Sequence, residues 1–360
     1  MVEIAKALSL NARLIIMDEP TSSLTLSETQ RLLDVARDLR SQGVSIIYIS
    51  HRLGEIEAMC DRVVALRDGA NAGGLAREEI SHDRMVRLMV GRELEHLVRS
   101  MQHPDSVGES TLVVQNLSTR RYPTQSVSFE VRRGEILGFA GLVGAGRSEV
   151  AQAIFGVEPK LTGEISLNGK ALSISNARDA IAHGICLVPE DRRHTGLIPE
   201  MTLRENISLP SLQRMSRFGL VARENEASTA QEMCKRLNVK TPSVEAEARN
   251  LSGGNQQKVV LAKWMAMNPK VLIFDEPTRG IDVGAKAEIY KLMRALADEG
   301  VAVIMISSDM EEVLGQSDRI AVMHEGAITG ILSRAEASEE AIMQRAVGRS
   351  HAVENVEAAA

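Results

Sequence analysis

The chain states one pattern twice. Leu14-Ile15-Ile16-Met17-Asp18-Glu19-Pro20-Thr21 returns, 257 residues later, as Val271-Leu272-Ile273-Phe274-Asp275-Glu276-Pro277-Thr278. The offset then holds without a gap: Ile49-Ser50 matches Ile306-Ser307, Asp61-Arg62 matches Asp318-Arg319, and Val90-Gly91-Arg92 matches Val347-Gly348-Arg349. So long a repeat means tandem copies of one domain, not a solenoid. The copies are unequal. The second reaches back to about Thr111, whereas the first would have to begin before residue 1. The pattern predicts the C-terminal part of one domain over 1–92, a linker over 93–110, a complete second domain over 111–350 and a disordered tail over 351–360.

Composition excludes several classes. A net charge of −6 argues against nucleic acid as the main partner. Cys60, Cys186 and Cys234 are odd in number and far apart, which fits reduced thiols in a cytosolic protein and neither a disulfide framework nor a zinc site. No stretch approaches the roughly 20 apolar residues of a membrane span, and the start at Met1 lacks the features of a signal peptide. Aromatic residues are only 2%, so the cores must rest on aliphatic side chains and Met.

In the first copy the periodicity predicts helices over 1–10, 27–41 (Ser27 as N-cap), 54–60 and 80–90. It predicts strands over 13–18, 44–49 and 62–66, the first as a continuous apolar run buried on both faces. In the second copy it predicts strands over 112–114, 127–131 and 136–140, a turn at Gly134, a helix over 149–155 and a separate helical lobe over about 200–250. Alternating strands and helices imply an α/β fold with a mostly parallel sheet flanked by helices.

Two motifs carry chemistry. Gly141-Leu142-Val143-Gly144-Ala145-Gly146-Arg147-Ser148 has the G-x-x-x-x-G-[K]-S spacing between a strand and a helix. There, glycine backbone N–H groups turn inward around phosphates, the helix N-terminus adds partial positive charge, and Ser148 would hold Mg²⁺. Gly141, Gly144, Ala145, Gly146, Arg147, Ser148 and Glu149 form the candidate ATP-binding set. Arg147 stands where lysine is expected. A planar fork is not a compact point charge, so binding should survive and hydrolysis suffer. Taken alone, the loop could equally be a glycine-rich turn without a ligand. The second motif is the strand ending in two carboxylates, Asp275-Glu276 and again Asp18-Glu19. In a P-loop ATPase such a pair serves Mg²⁺ (Asp275, Asp18) and the attacking water (Glu276, Glu19).

Leu251-Ser252-Gly253-Gly254-Asn255-Gln256-Gln257 lies just ahead of the Val271 strand and resembles the signature motif of the ATP-binding subunits of ABC transporters. More narrowly, the chain resembles the tandem ATPases of bacterial monosaccharide importers of the ribose, galactose and xylose type. The residues carrying this are the 141–148 loop, Val188-Pro189-Glu190-Asp191-Arg192-Arg193-His194-Thr195-Gly196-Leu197, LSGGNQQK, and Asp275 through Lys286. In the first copy they are Met1 through Lys6, Met17 through Thr21 and Ile49 through Arg52.

The resemblance implies a P-loop fold with an antiparallel β subdomain and helical lobe in the complete copy. It also implies ATP and Mg²⁺ as ligands and composite sites in which Ser252, Gly253 and Gly254 grip the γ-phosphate held by the other domain. Ser252 also reads as the N-cap of its helix. His51 stands at the switch position beside Asp18 and Glu19, with Ser308 as its counterpart, and Glu190 occupies the glutamine-loop position. The second copy thus departs at Arg147, Glu190 and Ser308, and reads as the degenerate site.

The first copy's phosphate loop would precede residue 1, so the sequence predicts an N-terminal truncation and a chain poorly active alone. Implied partners are integral-membrane permease subunits, contacted through 190–197 and 200–250, and indirectly a periplasmic sugar-binding protein. No nucleic acid is expected. The implied location is the cytoplasmic face of the inner membrane, peripheral. The alternatives are a nucleotide-binding but catalytically inert partner, and a soluble tandem protein of translation or DNA metabolism. The acidic linker speaks against the latter. Tyr122 is a candidate to stack on adenine.

Overall fold

The structure is a computed structural model that describes residues 6, 12–21, 26–50, 53–67, 70–81, 84–85, 88, 108–217, 220–281 and 283–348. Most of the expected helices over 1–10 and 80–90, His51, most of the linker and the tail lie outside the described residues. The chain divides into two compact units, one spanning Met1–Ser100 with Gly280–Ala287 and the other Met101–Arg279 with Glu288–Ala360.

In the first unit, β1 (Leu14–Asp18), α1 (Leu26–Ser41) and β2 (Ser45–Ile49) form a right-sized β–α–β crossover. The strands pair in parallel from Leu14↔Ser45 to Asp18↔Ile49. Leu33, Ala36 and Leu39 recur at helical spacing along α1 and pack on Ile15, Met17 and Met59. Glu28 in the first turn and Arg40 in the last suit the helix dipole, and Gly43, at φ +87°, ends the helix. The helix begins at Leu26, so Ser27 lies inside its first turn.

The expectation that the 14–18 run is buried on both faces is overturned. Leu14 is 51% and Ile16 62% exposed, as are Ile47 (49%) and Ile49 (47%) on the same sheet face. Their counterparts Val271, Ile273, Ile304 and Ile306 are buried in the second unit. There Val150, Ala151 and Ile154 line a small void together with Ile304 and Ile306. No counterpart of that helix is present among the described residues of the first unit.

After α2 (Leu53–Met59) come β3 (Arg62–Arg67) and β4 (Ala70–Ala76), an antiparallel pair. β4 was not foreseen, because Ala-Asn-Ala-Gly-Gly-Leu-Ala has little strand propensity and forms by pairing to β3.

The second unit opens with β5 (Ser110–Ser118), β6 (Val127–Arg132) and β7 (Ile136–Gly141), then α3 (Arg147–Phe155), β8 (Thr162–Leu167), β9 (Lys170–Leu172), α4 (Ala177–His183) and β10 (Ile185–Val188). A lobe follows: α5 (Leu203–Ser208), α6 (Leu212–Met215), a hairpin of β11 (Ser216–Arg217) and β12 (Leu220–Val221), and α7 (Arg223–Arg236). Arg204 ties it together by pairing with Glu226 and, at 2.8 Å, with Glu245. The hairpin is an addition to the helices expected there.

The chain then runs through α8 (Gly253–Met265), β13 (Val271–Asp275), α9 (Val283–Asp298), β14 (Ala302–Ile306), α10 (Met310–Gln316), β15 (Arg319–His324), β16 (Ala327–Ser333) and α11 (Glu339–Ala346). Six strands align in the order β10-β13-β14-β7-β15-β16, parallel except for β16, and β6-β5-β8-β9 make a separate antiparallel sheet. Every residue of β13 and β14 is buried, as their unbroken apolar runs require of central parallel strands.

The strand that leads into the glycine loop is fixed at its start. Asp318 accepts a hydrogen bond from the Ile136 amide at 2.7 Å and pairs with buried Arg294 at 3.0 Å, while Arg294 donates to the Gly134 carbonyl. Gly138 must be glycine, since a Cβ there would lie 2.1 Å from Ser317 Oγ.

Candidate functional site

β7 delivers the chain to the loop 141–146. Gly146, at φ +99°, caps α3 in the left-handed region, and Gly141, at φ +150°, has its would-be Cβ 2.4 Å from the Met323 carbonyl oxygen. Any side chain at either position would move the loop. α3 begins at Arg147, so its first amides face the loop's concavity.

Ser148 and Asp275 meet: Ser148 Oγ donates to Asp275 Oδ1 at 3.0 Å, joining α3 to the end of β13. Asp275 is 3% exposed. Burial raises its carboxyl to about 6, an effect that neighbouring Glu276 reinforces and that the Ser148 hydroxyl and Arg147 oppose. A buried carboxylate beside a hydroxyl is a donor set of hard oxygens, which suits Mg²⁺ with water completing the shell.

Arg147 is buried. It donates to the Ser307 carbonyl at 2.5 Å and lies 4.0 Å from a Glu276 oxygen. Burial pulls its guanidinium below the ordinary value, and the carboxylates of Glu276 and Asp275 push it back. The other oxygen of Glu276 accepts from Ser308 Oγ at 3.0 Å. Arg147, Glu276 and Ser308 thus form one hydrogen-bonded and charged cluster beside the Ser148–Asp275 pair.

Glu276 holds φ +48°, a conformation that costs a non-glycine residue of order 1–2 kcal/mol. Its amide donates to the Ile306 carbonyl at 2.8 Å. Glu19 repeats both features in the first unit, with φ +44° and its amide on the Ile49 carbonyl at 2.9 Å. The left-handed conformation thus recurs at the 257-residue offset.

The other expected residues fall elsewhere. Glu149 accepts from Arg121 at 2.7 Å at the surface. Glu190 pairs with Arg279. Ser252 holds the N-cap position of α8, but its side chain does not cap: Ser252 Oγ accepts from Asn255 Nδ2 at 3.0 Å. The short Asn255 amide competes successfully for that hydroxyl. Among the described residues no hydrogen bond joins Ser252, Gly253 or Gly254 to the 141–149 loop. Asp18 ends β1, paired with Ile49 of β2. Tyr122 lies beside the glycine loop. Its hydroxyl donates to the Gly144 carbonyl and its ring lies against Gly146 and Gly326.

One site element escaped the sequence reading. Buried Glu312 accepts from Thr278 at 3.3 Å and from Ser307, which fixes the turn after β13. Glu55 does the same for Thr21 at 3.0 Å, Ser50 at 3.3 Å and Tyr48 at 2.7 Å. The 257-residue offset links Glu55 to Glu312 and was the available signal.

The strand–loop–helix, the buried Asp275 and the antiparallel sheet beside a parallel one define the ATP-binding cassette of an ABC transporter. A family model described as ABC transporter matches residues 124–279. A solved ATP-binding cassette of an ABC transporter superposes with a TM-score of 0.57 at 20% identity, covering 66% of this chain and 98% of that one. A dimeric cassette solved after hydrolysis with ADP and phosphate gives a TM-score of 0.53 at 22% identity, covering 62% and 98%.

Among curated relatives, a ribose import ATP-binding protein of Streptomyces avermitilis is 51% identical over 98% of this chain and 69% of its own length. The ribose import ATP-binding protein of Bacillus subtilis and the xylose import ATP-binding protein of Thermoanaerobacter pseudethanolicus are each 49% identical over 97% of this chain and 70% of theirs. The chain belongs to this family of sugar-import ATP-binding proteins.

Proposed function

We propose that this protein is an ATP-binding and ATP-hydrolysing subunit that energises import of a monosaccharide through separate membrane permease subunits, fed by a periplasmic sugar-binding protein. Family membership supports this reading, and the Ser148–Asp275 pair behind a left-handed glycine loop is the observation that carries it. Among the described residues no helix is long and apolar enough to cross a membrane. The proposed location, peripheral on the cytoplasmic face, rests on the family reading.

The 141–146 amides and the first turn of α3 would receive the phosphates. Ser148 and Asp275 would hold Mg²⁺, which neutralises charge developing on the transferred phosphoryl group. Glu276, and Glu19 in the first unit, are the carboxylates assigned to the attacking water, with His51 and Ser252–Gly254 completing sites of the same type. Of the two second-unit carboxylates, Glu276 is engaged by Arg147 and Ser308. This favours a second reading for this site, nucleotide binding with slow turnover. The test is Mg²⁺-dependent ATP hydrolysis and equilibrium ATP binding by wild type, Ser148→Ala and Glu276→Gln. Loss of binding in Ser148→Ala supports the assignment. Rapid turnover that Glu276→Gln abolishes would contradict the slow-site reading, and binding insensitive to Ser148→Ala would contradict both.

A further inference from the structure

α8 is buried along nearly its whole length yet carries two lysines inward, and they are treated differently. Lys258 has a carboxylate, Glu288, at 2.5 Å and donates to the Asn238 carbonyl. Lys263, 8% exposed, has no carboxylate within ion-pair distance among the described residues. Its ammonium donates to the Gly196 carbonyl and sits 4.8 Å from the Trp264 ring centre. Burial pulls the amine down to about 8. A buried cation held by one carbonyl and one ring is expensive, and α8 could have used an aliphatic residue there.

The partner carbonyl explains the expense. Gly196 ends a π-helical segment, Arg192–Gly196, a rare conformation that concentrates at functional positions. Gly196 is pressed on α8, where a Cβ would lie 3.0 Å from Val260 Cγ2. At the other end Arg192 donates to the Arg279 carbonyl at 2.8 Å, four residues past Asp275. The segment is thus pinned at one end to the helix that begins at Gly253 and at the other to the turn that follows the acidic strand end.

We propose that Lys263 is a positioning residue that locks the Arg192–Gly196 segment to α8, so that the two respond to nucleotide as one body. The test is hydrogen–deuterium exchange on the 360-residue protein, on Lys263→Met, which keeps an unbranched apolar stem without the charge, and on Lys263→Gln, which keeps a donor. In Lys263→Met the Thr195–Leu197 amides exchange at least about tenfold faster, the factor of one lost hydrogen bond. The α8 amides 256–262 stay within about twofold of wild type. Lys263→Gln falls between and carries the same test should Lys263→Met fold poorly. Unchanged exchange over 192–197, or acceleration spread evenly through the second unit, overturns the role.

A second arm rests on the nucleotide-binding reading above. Mg·ATP slows exchange in 192–197 and in α8 together in wild type, and in α8 alone in Lys263→Met. Protection of the 141–148 loop with only one of the two segments following it in wild type overturns the proposal. ATP that leaves the loop itself unprotected defeats the nucleotide-binding reading instead, and the nucleotide-free arm then decides the role of Lys263.

Discussion

Replacing Asp275 by Asn separates the cost of the site from its use. Burial lifts the Asp275 carboxyl from its ordinary 3.8 to about 6. A folded-state value above the unfolded one favours the native state only while the group is protonated. That contribution is therefore complete below pH 4 and lost as pH rises through 6. At 1.36 kcal/mol per pH unit, the loss is about 3 kcal/mol by pH 7. Asn keeps an oxygen to accept from Ser148 Oγ and cannot ionise. Without Mg²⁺ or nucleotide, Asp275→Asn should match wild type near pH 4 and exceed it by about 3 kcal/mol near pH 7. The assay is urea unfolding in EDTA followed by Trp264, the chain's single tryptophan, which packs edge-to-face on Phe155 in the second unit. With Mg·ATP the order should reverse, because a metal needs the ionised carboxylate. A wild-type-to-variant difference constant from pH 4 to 7 would refute the electrostatic reasoning.

Other outcomes follow from the same geometry. Arg147→Lys should release Glu276 and the Ser307 carbonyl and raise ATP turnover, further still with Ser308→His; unchanged turnover at unchanged ATP affinity would remove Arg147 as the cause of a slow site. Arg294→Ala removes the cation paired with buried Asp318 and should cost about 3–5 kcal/mol in the Trp264 unfolding assay; a loss under about 1 kcal/mol would show that the pair does not hold β7. Glu312→Ala unpairs the Thr278 and Ser307 hydroxyls and should cost about 2–4 kcal/mol by the same assay, with Glu312→Gln costing less; equal losses would mean that hydrogen bonding is not the reason. Gly146→Ala forces a side chain at φ +99° against Tyr122 and should weaken ATP binding at least about tenfold, measured by titration, while secondary structure by circular dichroism stays intact.

What was legible in the sequence was whatever the chemistry writes locally. β13 could be read because central parallel strands need unbroken apolar runs, and α1 because its apolar positions follow the helical period. The glycine loop could be read because three of its backbone angles exclude other residues. The exposed side of β1 and β2 could not, because burial depends on what packs there and not on the strand's own residues. β4 and the 216–221 hairpin escaped because strand pairing, not propensity, makes them. The Ser252 hydroxyl was assigned to a cap when Asn255, three residues on, takes it. The partners of Glu190 and Lys263 come from positions 89 and 67 residues distant, beyond any local pattern.

The account stands most directly on magnesium–nucleotide binding at the second unit's loop. Calorimetric titration of the 360-residue protein with Mg·ATP should give a binding isotherm that Ser148→Ala weakens at least about tenfold and that steepens in affinity as pH rises through 6. Absence of binding, or equal affinity in wild type and Ser148→Ala across that range, would contradict it.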